Sequence, residues 1–142
     1  MRILALDPGD RRVGVAISDP TGIVARPLQA LRRKSNAEDF AAIAAIVAEH
    51  NVELVIMGQP LGLDGAEGTQ AKKAAHYAQA LAKHLPVEII LWDESFTTVK
   101  AEEVLLQSRG RKARRRARAD GELDAIAAAV ILQSYLDSKP GD

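Results

Sequence analysis

The chain has 142 residues, 47% of them apolar, which is enough to bury one core and excludes a chain disordered throughout. It has no cysteine, which excludes disulfides and thiolate metal sites, and its three histidines, His50, His76 and His84, stand at spacings that suit no His-based zinc site. Its formal net charge of zero is unevenly spread: the stretch 109–118 holds seven of the 19 basic residues and no acid, so the remaining 12 bases face 19 acids, about −7 in balance.

The predicted elements begin with a buried strand over Arg2–Asp7, a turn at Pro8-Gly9-Asp10-Arg11-Arg12, and a second strand over Val13–Ser18 in which Val13, Val15 and Ile17 alternate with small residues. Asp19-Pro20-Thr21-Gly22 has turn chemistry. A third, irregular strand over Ile23–Arg33 carries Pro27, which belongs on a sheet edge because proline donates no ladder hydrogen bond.

Ser35 opens a helix, with Glu38 at capping-box spacing and Phe40, Ile43, Ala44 and Val47 on one face. A fourth strand covers Glu53–Met57, and a glycine-rich loop runs from Gly58 to Gly68. The next helix shows Ala71, Ala74, Ala75, Ala78, Leu81, Ala82 and Leu85 at helical spacing and stops at Pro86. Val87–Asp93 is a fifth strand, Thr97–Ser108 a further helix, and Gly121–Asp137 the last helix, beyond the basic stretch. A three-stranded meander followed by βαβ units predicts a single α/β domain over residues 1–142, one mixed sheet flanked by helices.

Three acids stand where such a fold builds sites. Asp7 ends the first strand, Glu94 follows the fifth, and Asp124 lies in the first turn of the last helix, which is otherwise almost wholly apolar. Converging carboxylates suit Mg²⁺ or Mn²⁺. Each acid also has a plainer explanation: Asp7 can close an Asx-turn, Asp93 and Glu94 can be a surface pair, and Asp124 can answer the helix dipole. Adjacent strand residues point to opposite sides, so spacing leaves open which of Asp93 and Glu94 faces a site. No basic residue stands three or four positions after Asp124 to pair with it.

The stretch Leu6-Asp7-Pro8-Gly9-Asp10-Arg11-Arg12-Val13-Gly14-Val15-Ala16-Ile17-Ser18-Asp19 resembles the opening signature of the YqgF (RuvX-type) family of the RNase H-like superfamily. Gly58-Gln59-Pro60-Leu61 through Asp64-Gly65, Trp92-Asp93-Glu94 with Thr97-Thr98, and the run from Asp124 to Gln133 resemble its other motifs, in order and over nearly the whole chain. Two positions depart from the family pattern: Ser95 stands where an Arg is frequent and Gly62 where an Asn is.

The resemblance implies an RNase H-like five-stranded mixed sheet of order 3-2-1-4-5 flanked by helices, and a metal-dependent nuclease acting on structured nucleic acid. Its assigned tasks are pre-16S rRNA 5′-end processing and Holliday junction resolution. The family's catalytic and metal-binding acids fall on Asp7, Glu94 and Asp124. Two divalent ions about 3.5–4 Å apart are implied, Mg²⁺ or Mn²⁺, one activating water and one stabilising the leaving 3′ oxygen. Nucleic-acid contacts are expected from Gly9, Arg11, Arg12, Thr97, Thr98, Arg111, Arg114, Arg115, Arg116 and Arg118. The basic run would make RNA or DNA binding salt-sensitive. With aromatics few and scattered, recognition should rest on backbone and shape.

A homodimer would suit a two-fold junction. No secretory signal or membrane-length apolar span is visible, so a cytoplasmic setting without membrane contact is expected. The competing reading is a non-catalytic RNA- or ribosome-associated factor that keeps the nuclease fold. The Asp7-Pro8-Gly9 turn also resembles the phosphate loop of actin-like ATPases and sugar kinases, which need a second such domain.

Overall fold

The computed structural model describes residues 1–60, 68–93 and 122–138. Within them the strands are β1 (Ile3–Pro8), β2 (Arg12–Ser18), β3 (Ala25–Arg32), β4 (Leu54–Gln59) and β5 (Glu88–Asp93). The helices are α1 (Asn36–Glu49), α2 (Thr69–Ala82) and α3 (Glu122–Ser138). The expected helix over Thr97–Ser108 and the basic run lie outside the described residues. The strands form one sheet in the order β3-β2-β1-β4-β5, the order the resemblance implied. β1 pairs antiparallel with β2 and parallel with β4, and β4 pairs parallel with β5. Pro27 sits on edge strand β3 opposite Ala16, where the register shifts between Val15 and Ala16. A proline is tolerated there because the outer side of an edge strand needs no ladder donor.

Strand alternation sends successive side chains to two different layers. Leu4, Leu6, Val13, Val15, Ile17, Val55 and Met57 pack with Phe40, Ile43 and Val47 of α1 and Tyr77, Ala78 and Leu81 of α2. On the other face Ile3, Ala5, Ala16, Leu54 and Ile56 pack with Ala128, Ala129, Leu132 and Leu136 of α3, joined by Ile90, Trp92 and Tyr135. The middle of the α3 face of β1 and β2 carries small residues, with Ala5 opposite Ala16 and Gly14 opposite Asp7. The helix therefore lies close against these strands.

Local chemistry sets the element ends. Ser35 caps α1 by accepting a hydrogen bond from the Glu38 amide at 3.1 Å, and the Asp39 carboxylate accepts from the Lys34 amide at 3.1 Å. The β2–β3 turn is organised by the Asp19 carboxylate, which accepts from the amides of Thr21, Ile23 and Val24 and from the Thr21 hydroxyl. Gly22 completes that turn at φ 76°, a region that glycine enters without steric cost. Gln133 of α3 grips the same hairpin, accepting from the Ala25 amide at 2.9 Å and donating to the Ile23 carbonyl at 3.0 Å. The Ala82 position expected on the buried face of α2 is exposed, and Tyr77 is buried in its place, because the helix turns its Ala71-Ala74-Ala78-Leu81 stripe to the sheet. Among the described residues no helix is long and apolar enough to cross a membrane.

Candidate active site

β1, β4 and β5 run parallel, so their carboxyl ends share one edge of the sheet, where open α/β folds collect ligands. Asp7 stands at the end of β1, half-buried. Ile3 and Ala5 belong to the α3 layer, and alternation puts Asp7 on that same face. Its partner across the antiparallel ladder is Gly14, which puts no side chain of its own between the ladder and the start of α3. α3 crosses directly over that gap: a Cβ on Gly14 would lie 2.0 Å from the carbonyl oxygen of Asp124 and 3.3 Å from the nitrogen of Ala125. The fold thus brings the first turn of α3 down onto the β1–β2 ladder beside Asp7.

Asp124 has a partner that its own helix does not supply. Arg12, at the start of β2, places Nη1 3.3 Å from Asp124 Oδ2, with both side chains about two-fifths exposed (36% and 40%). Arg12 shares the α3 face with Gly14 and Ala16 by alternation. Expected from sequence to contact nucleic acid, this guanidinium gives one N–H to Asp124 and keeps its other donors for a further partner. At this exposure the pair contributes at most about 1 kcal/mol to stability.

The turn before Arg12 is rigidly held. The Gly9 amide donates to the Arg12 carbonyl at 2.8 Å, the Arg33 amide donates to the Arg11 carbonyl at 2.8 Å, and Arg33 Nη1 donates to the Gly9 carbonyl at 2.8 Å. The Gly9 amide, expected near phosphate, is therefore engaged within the turn. Arg11 is exposed at the turn's tip.

The sidedness of β5 bears on Asp93, the last residue of that strand. Ile90 and Trp92 pack in the α3 layer, whereas Ile89 packs against the α1/α2 layer. Asp93 therefore follows Ile89 and Leu91 to the side away from Asp124. Gln59, its neighbour in register on β4, does the same and reaches the Ala71 carbonyl of α2 at 3.3 Å. Glu94, Thr97, Thr98, Arg111, Arg114, Arg115, Arg116 and Arg118 lie outside the described residues. Among the described residues no three His, Cys, Asp or Glu side chains converge as a metal site. Asp7 and Asp124, the two expected acids that are described, lie on one face, and their carboxylates are the hard oxygen donors that Mg²⁺ and Mn²⁺ prefer. Sequence reasoning passed over Gly14; a glycine inside an otherwise apolar strand signals close backbone approach.

Comparison with known proteins agrees with this architecture. The model of the RuvX family, described as Holliday junction resolvase, matches residues 1–138. A protein of Syntrophus aciditrophicus named "Putative pre-16S rRNA nuclease" is 44% identical over 97% of this chain and 89% of its own length. One of the same name from Thermoanaerobacter pseudethanolicus is 41% identical, covering 98% of both chains. Among solved structures, Thermus thermophilus RuvC in complex with a Holliday junction substrate superposes with TM-score 0.59 at 14% identity, covering 96% of this chain and 95% of its own. The fowlpox virus resolvase bound to junction DNA does so with TM-score 0.59 at 17% identity, covering 97% and 98%. At these identities the superpositions establish a shared RNase H-like, RuvC-type fold. The match over residues 1–138, together with relatives above 40% identity over nearly the full chain, shows that this chain belongs to the RuvX family of resolvase-type nucleases.

Proposed function

We propose that this chain is a divalent-metal-dependent nuclease that hydrolyses phosphodiester bonds in structured nucleic acid. Its tasks would be pre-16S rRNA 5′-end processing, Holliday junction resolution, or both. The observation that supports this reading best is the placement of Asp7 and the first turn of α3 over one rung of the β1–β2 ladder, at the carboxyl edge of three parallel strands. Asp7, Asp124 and Glu94 would hold Mg²⁺ or Mn²⁺; strand alternation, which turns Asp93 toward the α1/α2 layer, supports Glu94 over Asp93. Bound there, such ions supply Lewis-acid activation of water and charge neutralisation at the phosphate.

The chain's own contribution is positional. The β1–β2 ladder fixes Asp7, and Gly14 lets α3 carry Asp124 to it. Arg12 neutralises Asp124 in the free protein and offers its remaining donors at the rim to a backbone phosphate. The basic run at 109–118 would add sequence-independent backbone affinity. A cytoplasmic setting and a two-fold dimer on a two-fold junction fit this reading.

The test is a cleavage assay on junction DNA and pre-16S rRNA 5′-end substrates, with Mg²⁺ or Mn²⁺ and with EDTA. Cleavage should need the metal, leave 5′-phosphate and 3′-hydroxyl ends, and vanish in Asp7→Asn while nucleic-acid binding persists. Cleavage by Asp7→Asn at the wild-type rate would overturn the proposal, and binding without any cleavage would favour a non-catalytic factor.

A further inference from the structure

On the sheet face opposite Asp124 lies a groove of about 550 Å³ between the β1–β2 turn, the start of α1 and one side of α2. That volume falls within the usual range of ligand-sized pockets. Its walls present Asp10, Arg33, Asn36, Gln70, Lys73 and His76. The α2 side carries no acid from Gly68 to Val87, whereas Lys72, Lys73 and His76 are all exposed on it. Lys72 and His76 also border a second recess of about 200 Å³. For a chain whose acids outnumber its bases outside residues 109–118, this is a concentrated basic surface.

Arg33 is fixed in place. Its guanidinium donates to the Gly9 carbonyl, lies 5.0 Å from the Tyr77 ring centroid, and sits 4.0 Å from the buried carboxylate of Asp39. A guanidinium held this way loses little conformational freedom when it meets an anion. Tyr77 is covered by Arg33 and packs edge-on against Phe40, so it offers no open ring face on which a base could stack. Among the described residues, what remains is two cations, Arg33 and Lys73, a histidine and the amide side chains of Asn36 and Gln70, against Asp10 on the wall and the Asp39 carboxylate that Arg33 already meets. Those are groups that recognise phosphate rather than base edges.

We infer that this groove is a second contact site for nucleic-acid backbone phosphates, served by Arg33, Lys73 and His76 and lying back-to-back with the acidic site. The inference rests on the nuclease reading. It adds that substrate wraps the sheet edge: Pro8, Gly9 and Asp10 wall the groove, while Asp7 and Arg12, on either side of the same turn, face the acidic site. One structured nucleic acid can therefore touch both faces around the turn, outside the base run at 109–118.

The test is fluorescence-anisotropy binding of a four-way DNA junction over a range of salt, in an Asp7→Asn background that prevents cleavage. Lys73→Ala with His76→Ala should lower affinity about tenfold at low salt and flatten the salt dependence by about one unit of slope per lost phosphate contact. Lys73→Glu should cost more. Lys83→Ala, at the C-cap of α2 and outside the groove, should change neither quantity. Circular dichroism verifies that each variant is folded. Unchanged affinity and slope in the groove variants overturn the inference, as does an equal loss in Lys83→Ala, which would mark a diffuse charge effect. Calorimetry with inorganic phosphate separates the sources: phosphate binding that needs Lys73, beside junction affinity that does not, would make the site one for the free ion and overturn the inference. If the Asp7→Asn protein with an intact groove binds no junction, the nuclease reading fails first and carries this inference with it.

Discussion

Gly14 lies so close beneath Asp124 that a methyl group there would sit 2.0 Å from the Asp124 carbonyl oxygen. The contact is with helix backbone, which cannot rotate aside as a side chain can. Gly14→Ala must therefore lift the first turn of α3 from the sheet or deform β2. Overpacking of this kind typically costs about 1–3 kcal/mol, and a backbone clash belongs at the upper end. The variant should melt several degrees lower and lose cleavage activity more steeply than stability, because Asp124 moves with the helix. Wild-type melting and activity would show that α3 is not held at this point.

The Arg12–Asp124 pair yields a prediction about metal rather than stability. Removing the guanidinium leaves Asp124 without its 3.3 Å counter-ion. Arg12→Ala should therefore bind Mn²⁺ as tightly as the wild type or more tightly in calorimetry, while nucleic-acid affinity and cleavage fall. Weaker Mn²⁺ binding would show that Arg12 supports the metal site instead of competing for it.

The sidedness of β5 predicts unequal roles for two adjacent acids. Asp93→Asn should leave cleavage within a few-fold of wild type. Glu94→Gln should lose more than the roughly 10–100-fold associated with a supporting partner of a metal ligand. Steady-state cleavage of a junction substrate at saturating Mn²⁺ measures both, and the reverse order of effects would exchange their assignments.

Tyr77 carries an alkaline signature. Burial, reinforced by the Asp39 carboxylate and partly offset by Arg33, pushes its phenol up to about 12. The folded protein thus holds a proton that the unfolded chain releases near pH 10, so stability should fall as pH rises from about 10 to 12. Among the described residues its hydroxyl has no hydrogen-bond partner. Tyr77→Phe should accordingly fold as well as or better than wild type near neutrality, and its denaturation midpoint should fall less across that alkaline window. An identical alkaline loss in the variant would place its origin elsewhere.

At the acid end, Asp19 is held well below its ordinary 3.8, first by the Thr21 hydroxyl and then by the Val24 amide. A depressed carboxyl stabilises the fold above its unfolded value and loses that contribution as pH falls below it. Thermal melts from pH 6 to pH 2 should therefore decline less in Asp19→Asn than in wild type, with hydrogen exchange rising first at Ile23 and Val24. Equal pH dependence of the two proteins would remove Asp19 as a source of acid sensitivity.

The local elements of this protein are written in its sequence. Val13, Val15 and Ile17 alternating with small residues specify a strand, Ser35 with Glu38 specifies where α1 begins, and Pro27 specifies an edge, because each acts through contacts within a few residues. The acids Asp7 and Asp124 stood out as charges set against apolar runs, and the family motifs gave the sheet order. Helix limits, and the choice of Tyr77 over Ala82 for the core, depended on how α2 rolled against β4 and β5.

Tertiary structure decided what lies between distant residues. No helical spacing pairs Arg12 with Asp124, which stand 112 positions apart. Only the packing of α3 on the β1–β2 ladder makes Gly14 indispensable, removes Asp93 from Asp124's side and sets a basic groove behind the turn that carries Asp7. Short-range steric and hydrogen-bonding rules make strands and caps legible one stretch at a time. A site assembled across a sheet depends on register and helix docking, which arise from the summed packing of the whole chain.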